Sequence, residues 1–517
     1  MRDFSKLLDM KQTIKYIFAG VLCTLLSCVV AQAVAPRPGL NLVEPIREVI
    51  PQGRVMQQRA AKIAEAKSTT ELVSRGLLIV VEFADLSLAA GNTVESFDSL
   101  ANDDNYTYNG AVGSCKKYYQ DQSNGKYTPQ FDVIGPVVLP QSLAFYGTDA
   151  AYEGDDRYIV DFVVDACRGA QAMGVDFSNY DQDNDGSVDL VYILYAGYSQ
   201  ADGGPAESVW PHAWDMESAL YYGNTYQTEY YVKTDAAGNI LSENLPVLNG
   251  KLIMRYACSN ELIFSDSRRT SIGTICHEFG HVLGLADLYR TDGEMSYEVP
   301  GSWALMSHGN YLNNGNTPPN LSVWEKYSLG WVEPEMLAAS EQVVLPADGA
   351  TYKMLNRSSI VPAAGALTTD TMLYMENRQM TGWDKYLPGH GMLVWQIVYD
   401  AQDWYYNEPN NHSTRMKLIS ATGSTPYTKS LTGGARLDVP FPGSWYVTEY
   451  EPYAHVSMTE IEEVDGVIRF QFTNASYTAI QSPNAEVKKQ QWYNLLGMPV
   501  DENYQGVVVC NGEKMVR

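Results

Sequence analysis

The chain predicts an α+β protein in three parts: mixed helices and strands over residues 76–335, an all-β region over 336–473, and a short β tail over 474–517. Three observations carry this. From residue 76, strand-length apolar runs such as Leu77-Leu78-Ile79-Val80-Val81 alternate with helical periodicity, as in Ile272, Ile275, Phe279, Val282 and Leu283. After about residue 335 the pattern changes to short strands and turns, with runs at 372–378, 391–399 and 466–472. That is the pattern of a β-sandwich packed on the first region. Beyond 474, the segments 491–500 and 506–517 read as a separate β unit.

The N-terminus sets the compartment. Lys11 and Lys15 precede an apolar run from Tyr16 to Val30, followed by small-residue cleavage options at Ala31-Gln32-Ala33 and Ala33-Val34-Ala35. Residues 1–35 therefore read as a signal peptide, with Met10 as an alternative start. Leu25-Leu26-Ser27-Cys28 resembles a lipobox, although Leu26 before Ser27 is an imperfect match; acylation at Cys28 would anchor the chain. The expected location is secreted or cell surface. Residues 36–75 read as a propeptide or N-terminal extension, and they hold no cysteine to cap a metal. No other run is long and apolar enough to span a bilayer.

Charge excludes one class of partner. The chain carries 61 Asp+Glu against 36 Lys+Arg, a net charge of -25, which repels phosphate backbones and argues against nucleic acid. Beyond the signal, Cys115, Cys167, Cys258, Cys276 and Cys510 form no CxxC pair and no readable disulfide framework.

The most informative stretch is His277-Glu278-Phe279-Gly280-His281, continued by Val282-Leu283-Gly284-Leu285-Ala286-Asp287. Residues four apart share one face of a helix, so His277 and His281 can aim two imidazoles at one ion. Zinc favours such nitrogen ligands, and a catalytic site keeps one position open for water. Glu278 sits where it can take a proton from that water without binding the metal. Gly284 stands where a helix commonly ends in a left-handed residue. The chain can then double back and bring Asp287 in as third ligand; an ordinary turn carboxylate is the other reading of Asp287.

A second motif precedes it. Asp181, Asp183, Asp185 and Asp189 supply oxygens at positions 1, 3, 5 and 9 of a loop, Ser187 offers a carbonyl at position 7, and Gly186 makes the turn. Tyr192 stands where an EF-hand needs glutamate, and 190–197 reads as a strand. The loop is expected to hold a structural calcium ion. His212, between Trp210 and Trp214, reads as a packed residue outside the metal set.

Several segments carry a resemblance. Gly301-Ser302-Trp303-Ala304-Leu305-Met306-Ser307-His308-Gly309 looks like the Met-turn of metzincins, with Met306 as the floor of the metal site. With Leu321-Ser322-Val323-Trp324-Glu325-Lys326-Tyr327-Ser328-Leu329-Gly330-Trp331, the chain resembles the immune inhibitor A family of secreted bacterial metallopeptidases over roughly residues 76–473. The resemblance implies zinc on His277, His281 and Asp287, calcium near 181–189, and endopeptidase activity on extracellular proteins. It departs from the pattern at His308, where many metzincins place a tyrosine for the oxyanion; His308 or Tyr311 is the candidate donor. It departs again at Trp395-Gln396-Ile397-Val398, where relatives commonly carry WHID. Residues 491–500 and 506–517 resemble the sorting domain of type IX secretion cargo, implying that export machinery as a partner. Two other functions stand beside the peptidase: a non-catalytic zinc-binding surface or adhesion module, and a zinc hydrolase of a non-protein amide.

Overall fold

The computed structural model describes residues 32–33, 74–149, 156–182, 184–221, 225–226, 233–234, 240–242, 245–291, 299–356, 371–400, 403–404, 407–411, 413–423 and 439–475, and tail strands at 492–494, 499–500, 507–510 and 513–516. The lipobox cysteine Cys28, most of the signal peptide and extension, and Asp183 lie outside the described residues.

A mixed six-stranded sheet forms the centre of the first region. Its strands are β1 (Gln32–Ala33), β2 (Arg75–Glu82), β3 (Gln130–Val138), β4 (Val191–Tyr195), β5 (His212–Asp215) and β6 (Arg255–Asn260), in spatial order β1-β5-β6-β4-β2-β3. β6, β4, β2 and β3 are parallel, while β5 runs antiparallel to β6 and β1 antiparallel to β5. The continuous apolar run in β2 follows from this position: a parallel strand covered on both faces has no polar side to present. Leu78 and Val80 enter one core, Leu77, Ile79 and Val81 the other.

Helices cover the two faces. They are α1 (Val94–Asn102), α2 (Cys115–Gln122), α3 (Leu143–Gly147), α4 (Ile159–Ala172), α5 (Met216–Tyr221), α6 (Ile272–Val282) and α7 (Val323–Ser328). α4 buries Ile159, Val160, Phe162 and Val163 against one face. α6 buries Ile272, Ile275 and Phe279 against the other, beside Tyr118 and Tyr119 of α2. The 181–189 loop leads into the sheet, as its sequence suggests: Ser187–Val188 is a short strand paired with Leu252–Ile253 in a separate small sheet, and β4 follows at once.

The second region builds two sheets around one core. The first contains β7 (Glu335–Met336), β9 (Lys353–Asn356), β10 (Thr371–Arg378), β11 (Gly391–Val398) and β12 (Met416–Ile419). The second contains β8 (Glu341–Leu345), β15 (Val467–Asn474), β14 (Val456–Val464) and β13 (Tyr450–Tyr453). Leu345, Leu373, Met375, Val394, Phe470 and Phe472 meet between them. The tail strands make a small antiparallel sheet of their own.

The two regions share structure across their junction. The α6-side core runs through Trp303, Met306 and Trp324 into Tyr374, Trp395 and Met416. A buried ionic network adds to it. The Arg378 guanidinium donates to Asp384 at 2.6 and 2.5 Å, to Glu376 at 3.1 Å and to the Asn320 carbonyl at 3.0 Å. Asn320 N returns a bond to Asp384 at 2.8 Å. Paired in this way, the buried charges hold the segment before α7 against β10, and removing one partner would strand the others. Cys115, Cys167, Cys258 and Cys276 are buried and form no disulfide.

Candidate metal centre

The site starts from how α6 ends. Gly284 has φ +98°, a conformation side chains resist, and Leu285 N donates back to the Gly280 carbonyl at 3.0 Å. The chain reverses there, and Leu288 N then bonds the Met306 carbonyl at 2.6 Å. Asp287, fully buried, is carried back against the helix.

Three donor atoms converge. Asp287 Oδ1 lies 3.1 Å from His277 Nε2 and 3.3 Å from His281 Nε2. The two imidazoles stand perpendicular, with centroids 4.9 Å apart. His277 Nδ1 lies 3.0 Å from the Leu305 carbonyl oxygen and His281 Nδ1 2.9 Å from that of Leu285. A carbonyl can only accept, so each Nδ1 carries the proton and each Nε2 presents its lone pair. Two lone pairs and a carboxylate oxygen thus face one point. Among the described residues this is the one group of three or more His, Cys, Asp or Glu side chains gathered closely enough to hold an ion.

The donor set fits zinc. His277 Nε2, Asp287 Oδ1 and both oxygens of Glu278 are buried without a hydrogen-bond partner. Each such atom costs on the order of 1–3 kcal/mol, and native structures keep few of them without a reason. Two neutral imidazoles and one carboxylate, with a fourth direction left to substrate, are the ligand types of catalytic zinc. Burial first, then the charge of Asp287, pushes the Glu278 carboxyl well above the usual carboxylate range. A cation on the triad would oppose that shift. Met306 lies beneath: a Cβ at position 280 would stand 2.7 Å from its sulfur, so Gly280 permits the close approach.

Residues 79–244 and 257–332 match the immune inhibitor A peptidase M6 catalytic domain. The region that holds the triad resembles the catalytic domain of the immune inhibitor A peptidases. Immune inhibitor A of Bacillus thuringiensis subsp. alesti is 29% identical over 237 residues, 42% of this chain and 31% of that protein. The pre-pro-metalloprotease PrtV of Vibrio cholerae serotype O1 is 24% identical over 278 residues, 48% of this chain and 28% of that protein. The chain thus spans about a third of the length of the curated relatives it matches.

In this immune inhibitor A-type domain the remaining candidates fall into three groups. Around the triad stands a residue the motif reading missed, Tyr289. Its ring stacks on His277 at 6.4 Å and lies 6.2 Å from His308. Burial, then the Asp287 and Glu278 carboxylates, pushes its phenol far up, so the hydroxyl keeps its proton. Position two after a ligand was the available signal, and no general rule attaches a role to it. Burial and nearby His277 hold His308 down at about 4, which keeps its ring neutral. Tyr311 packs instead against Ala201 and Trp210. With Thr274, Asn260 and Asn314 it lines a small open cleft at the start of α6.

The acidic loop is built differently. Asp181 accepts from Asp185 N at 3.0 Å and Gly186 N at 3.1 Å, and pairs with Lys251 Nζ at 2.5 Å. Asp185 accepts from Ser187 N at 2.9 Å, and Asp189 from Gln182 N at 2.9 Å. Gly186 makes the turn at φ +92°. His212 is a packed residue: Nδ1 lies 2.6 Å from the Trp210 carbonyl and Nε2 2.9 Å from the Tyr256 hydroxyl.

Proposed function

We propose that the protein is a secreted zinc endopeptidase that cuts extracellular proteins, with His277, His281 and Asp287 holding the metal and Glu278 as general base. The carrying observation is a buried glutamate without hydrogen-bond partners, next in sequence to a histidine whose lone pair faces the same point as those of its two companions. Bound zinc would supply Lewis-acid polarisation of water and of the scissile carbonyl. Glu278 takes a proton from the attacking water and hands it to the leaving nitrogen. Tyr289 donates to the oxyanion from the His277 side, with His308 as the alternative donor. A metal kept only for folding would have no use for Glu278, which disfavours the silent-module reading.

A peptide suits this site better than a small amide. β5 lies against α6, and the chain's own Gln32–Ala33 already pairs with it antiparallel. Strand addition of that kind is how extended peptides bind a sheet edge. The fold is metzincin-like through the Met306 floor, and the second region is a β-sandwich. Residues 1–35 direct export, the β tail engages type IX machinery, and the 181–189 loop takes calcium as a structural ion. No helix among the described residues is long and apolar enough to cross a membrane.

The test compares zinc-loaded wild type with Glu278→Gln in casein digestion and metal content. The variant should keep its zinc and lose activity by about 10²–10⁴-fold. A wild type that binds zinc yet digests casein no faster than Glu278→Gln refutes the reading.

A further inference from the structure

We infer that Asn407, a residue of the second region, is a positioning residue for the third metal ligand. The inference rests on the zinc reading above and extends it past the matched catalytic segment, which ends at residue 332. Asn407 follows β11 and precedes β12, and it is completely buried.

The contact is a two-point clamp. Asp287 N donates to Asn407 Oδ1 at 2.6 Å, and Asn407 Nδ2 donates to Asp287 Oδ2 at 2.7 Å. An N–H can only donate and a carboxylate here accepts, so the amide orientation is settled by its partners. With Oδ2 occupied by the amide, the carboxylate turns Oδ1 to the histidines, at 3.1 and 3.3 Å. Asn407 thereby holds Asp287 as a ligand through one oxygen. An isolated carboxylate on the turn after Gly284 would be free to rotate, and its ordering would count against metal binding.

The loop that presents Asn407 is itself clipped to the same turn. Asn410 Nδ2 donates to the Leu288 carbonyl at 2.8 Å, while its Oδ1 accepts from Met416 N at 3.0 Å. Asn411 and Thr291 exchange two bonds, Thr291 N to Asn411 Oδ1 at 2.9 Å and Asn411 Nδ2 to Thr291 Oγ1 at 2.8 Å. Three asparagines from one loop therefore hold 287–291, and one of them touches the ligand. The metal centre is composite: its ligands come from one region and the support of the third ligand from the other.

The experiment uses the full chain and two variants, Asn407→Ala and Asn411→Ala. Each loses inter-region hydrogen bonds, but Asn411 does not touch Asp287. Zinc affinity is measured by chelator competition, ligand geometry by the absorption of the cobalt(II)-substituted protein, and fold by melting of the metal-free form. Both variants should melt at similarly lowered temperatures. Asn407→Ala should weaken zinc by about 10–100-fold and alter the cobalt spectrum, while Asn411→Ala leaves both near wild type. Equal zinc affinity in Asn407→Ala and wild type overturns the inference, as does equal weakening by Asn411→Ala, which would mean general loosening. Should Asn407→Ala not fold, Asn407→Asp, which sets a second carboxylate against Asp287, must weaken zinc at least as much for the inference to stand. A wild type that binds no zinc overturns the zinc reading together with this inference, which separates that failure from the others.

Discussion

The triad on α6 and the acidic loop before β4 both offer donors to a cation, and they are built in opposite ways. At the triad, His277 Nε2, Asp287 Oδ1 and the Glu278 oxygens are buried with no donor to satisfy them. In the loop, Asp181 accepts two backbone N–H groups and the Lys251 ammonium, and Asp189 is held by Gln182. One site stores unsatisfied polar atoms at a cost to stability; in the other, the carboxylates of Asp181 and Asp189 already have protein donors, so calcium there would reinforce a turn that stands without it. The difference teaches that a ligand-like spacing says which atoms gather, while the local hydrogen-bond count says whether they are waiting for something.

Metal linkage should separate the two sites most clearly. Zinc at about 1,000 times its Kd should stabilise the native protein by about 4 kcal/mol. Asp287→Ala should abolish that rise in melting temperature while leaving any calcium effect intact. A zinc effect unchanged in Asp287→Ala would merge the two sites and break the comparison.

Next in size is the loop. Asp181 is buried and Lys251 partly exposed, so Asp181→Ala strands two N–H groups and an ammonium. We expect a loss of about 3 kcal/mol in denaturant titrations without calcium. A loss seen only when calcium is present would show instead that the ion, and not Lys251, completes the loop.

Glu325 lies between the extremes. Its Oε2 accepts from Ser322 N and Oγ at 2.7 and 2.8 Å, but its Oε1 has no partner. Burial pushes its carboxyl up to about 7. An acid whose folded pKa exceeds its unfolded value stabilises the native state while protonated. Its contribution is full below the unfolded pKa and is lost as pH rises through the folded one. Stability should fall by about 2 kcal/mol between about pH 5.5 and 7.5. Glu325→Gln should flatten that slope, and an unchanged slope would assign the titration elsewhere.

How far the sequence reaches follows the same division. His277, Glu278 and His281 are legible because a helix turns four residues into one face, and Gly284 because only its backbone relaxes there. β2 is legible because a strand covered on both faces becomes a continuous apolar run. Asn407 is not legible: it stands 120 residues from Asp287, and no local period links them. Tyr289 is close in sequence, yet its role depends on which way its ring faces after the turn. The pairing of Gln32–Ala33 with β5 was equally hidden, since the same residues read as a cleavage site. Local geometry is written in spacing, and contacts across the fold are not.

The smallest effect probes the triad from the side of stability. If Glu278 is kept for chemistry, its burial costs the metal-free protein free energy that a packed apolar side chain would return. Glu278→Met, similar in length and without polar atoms, should raise the stability of the metal-free form by about 1–2 kcal/mol while removing peptidase activity. The corresponding change in the loop, Asp181→Met, should lower stability, because there the carboxylate answers three donors. Opposite signs for two buried carboxylates of one protein would fix which was placed for function and which for fold. Destabilisation by Glu278→Met would mean that the glutamate already has a partner in the metal-free fold, and the contrast between the two sites would fall.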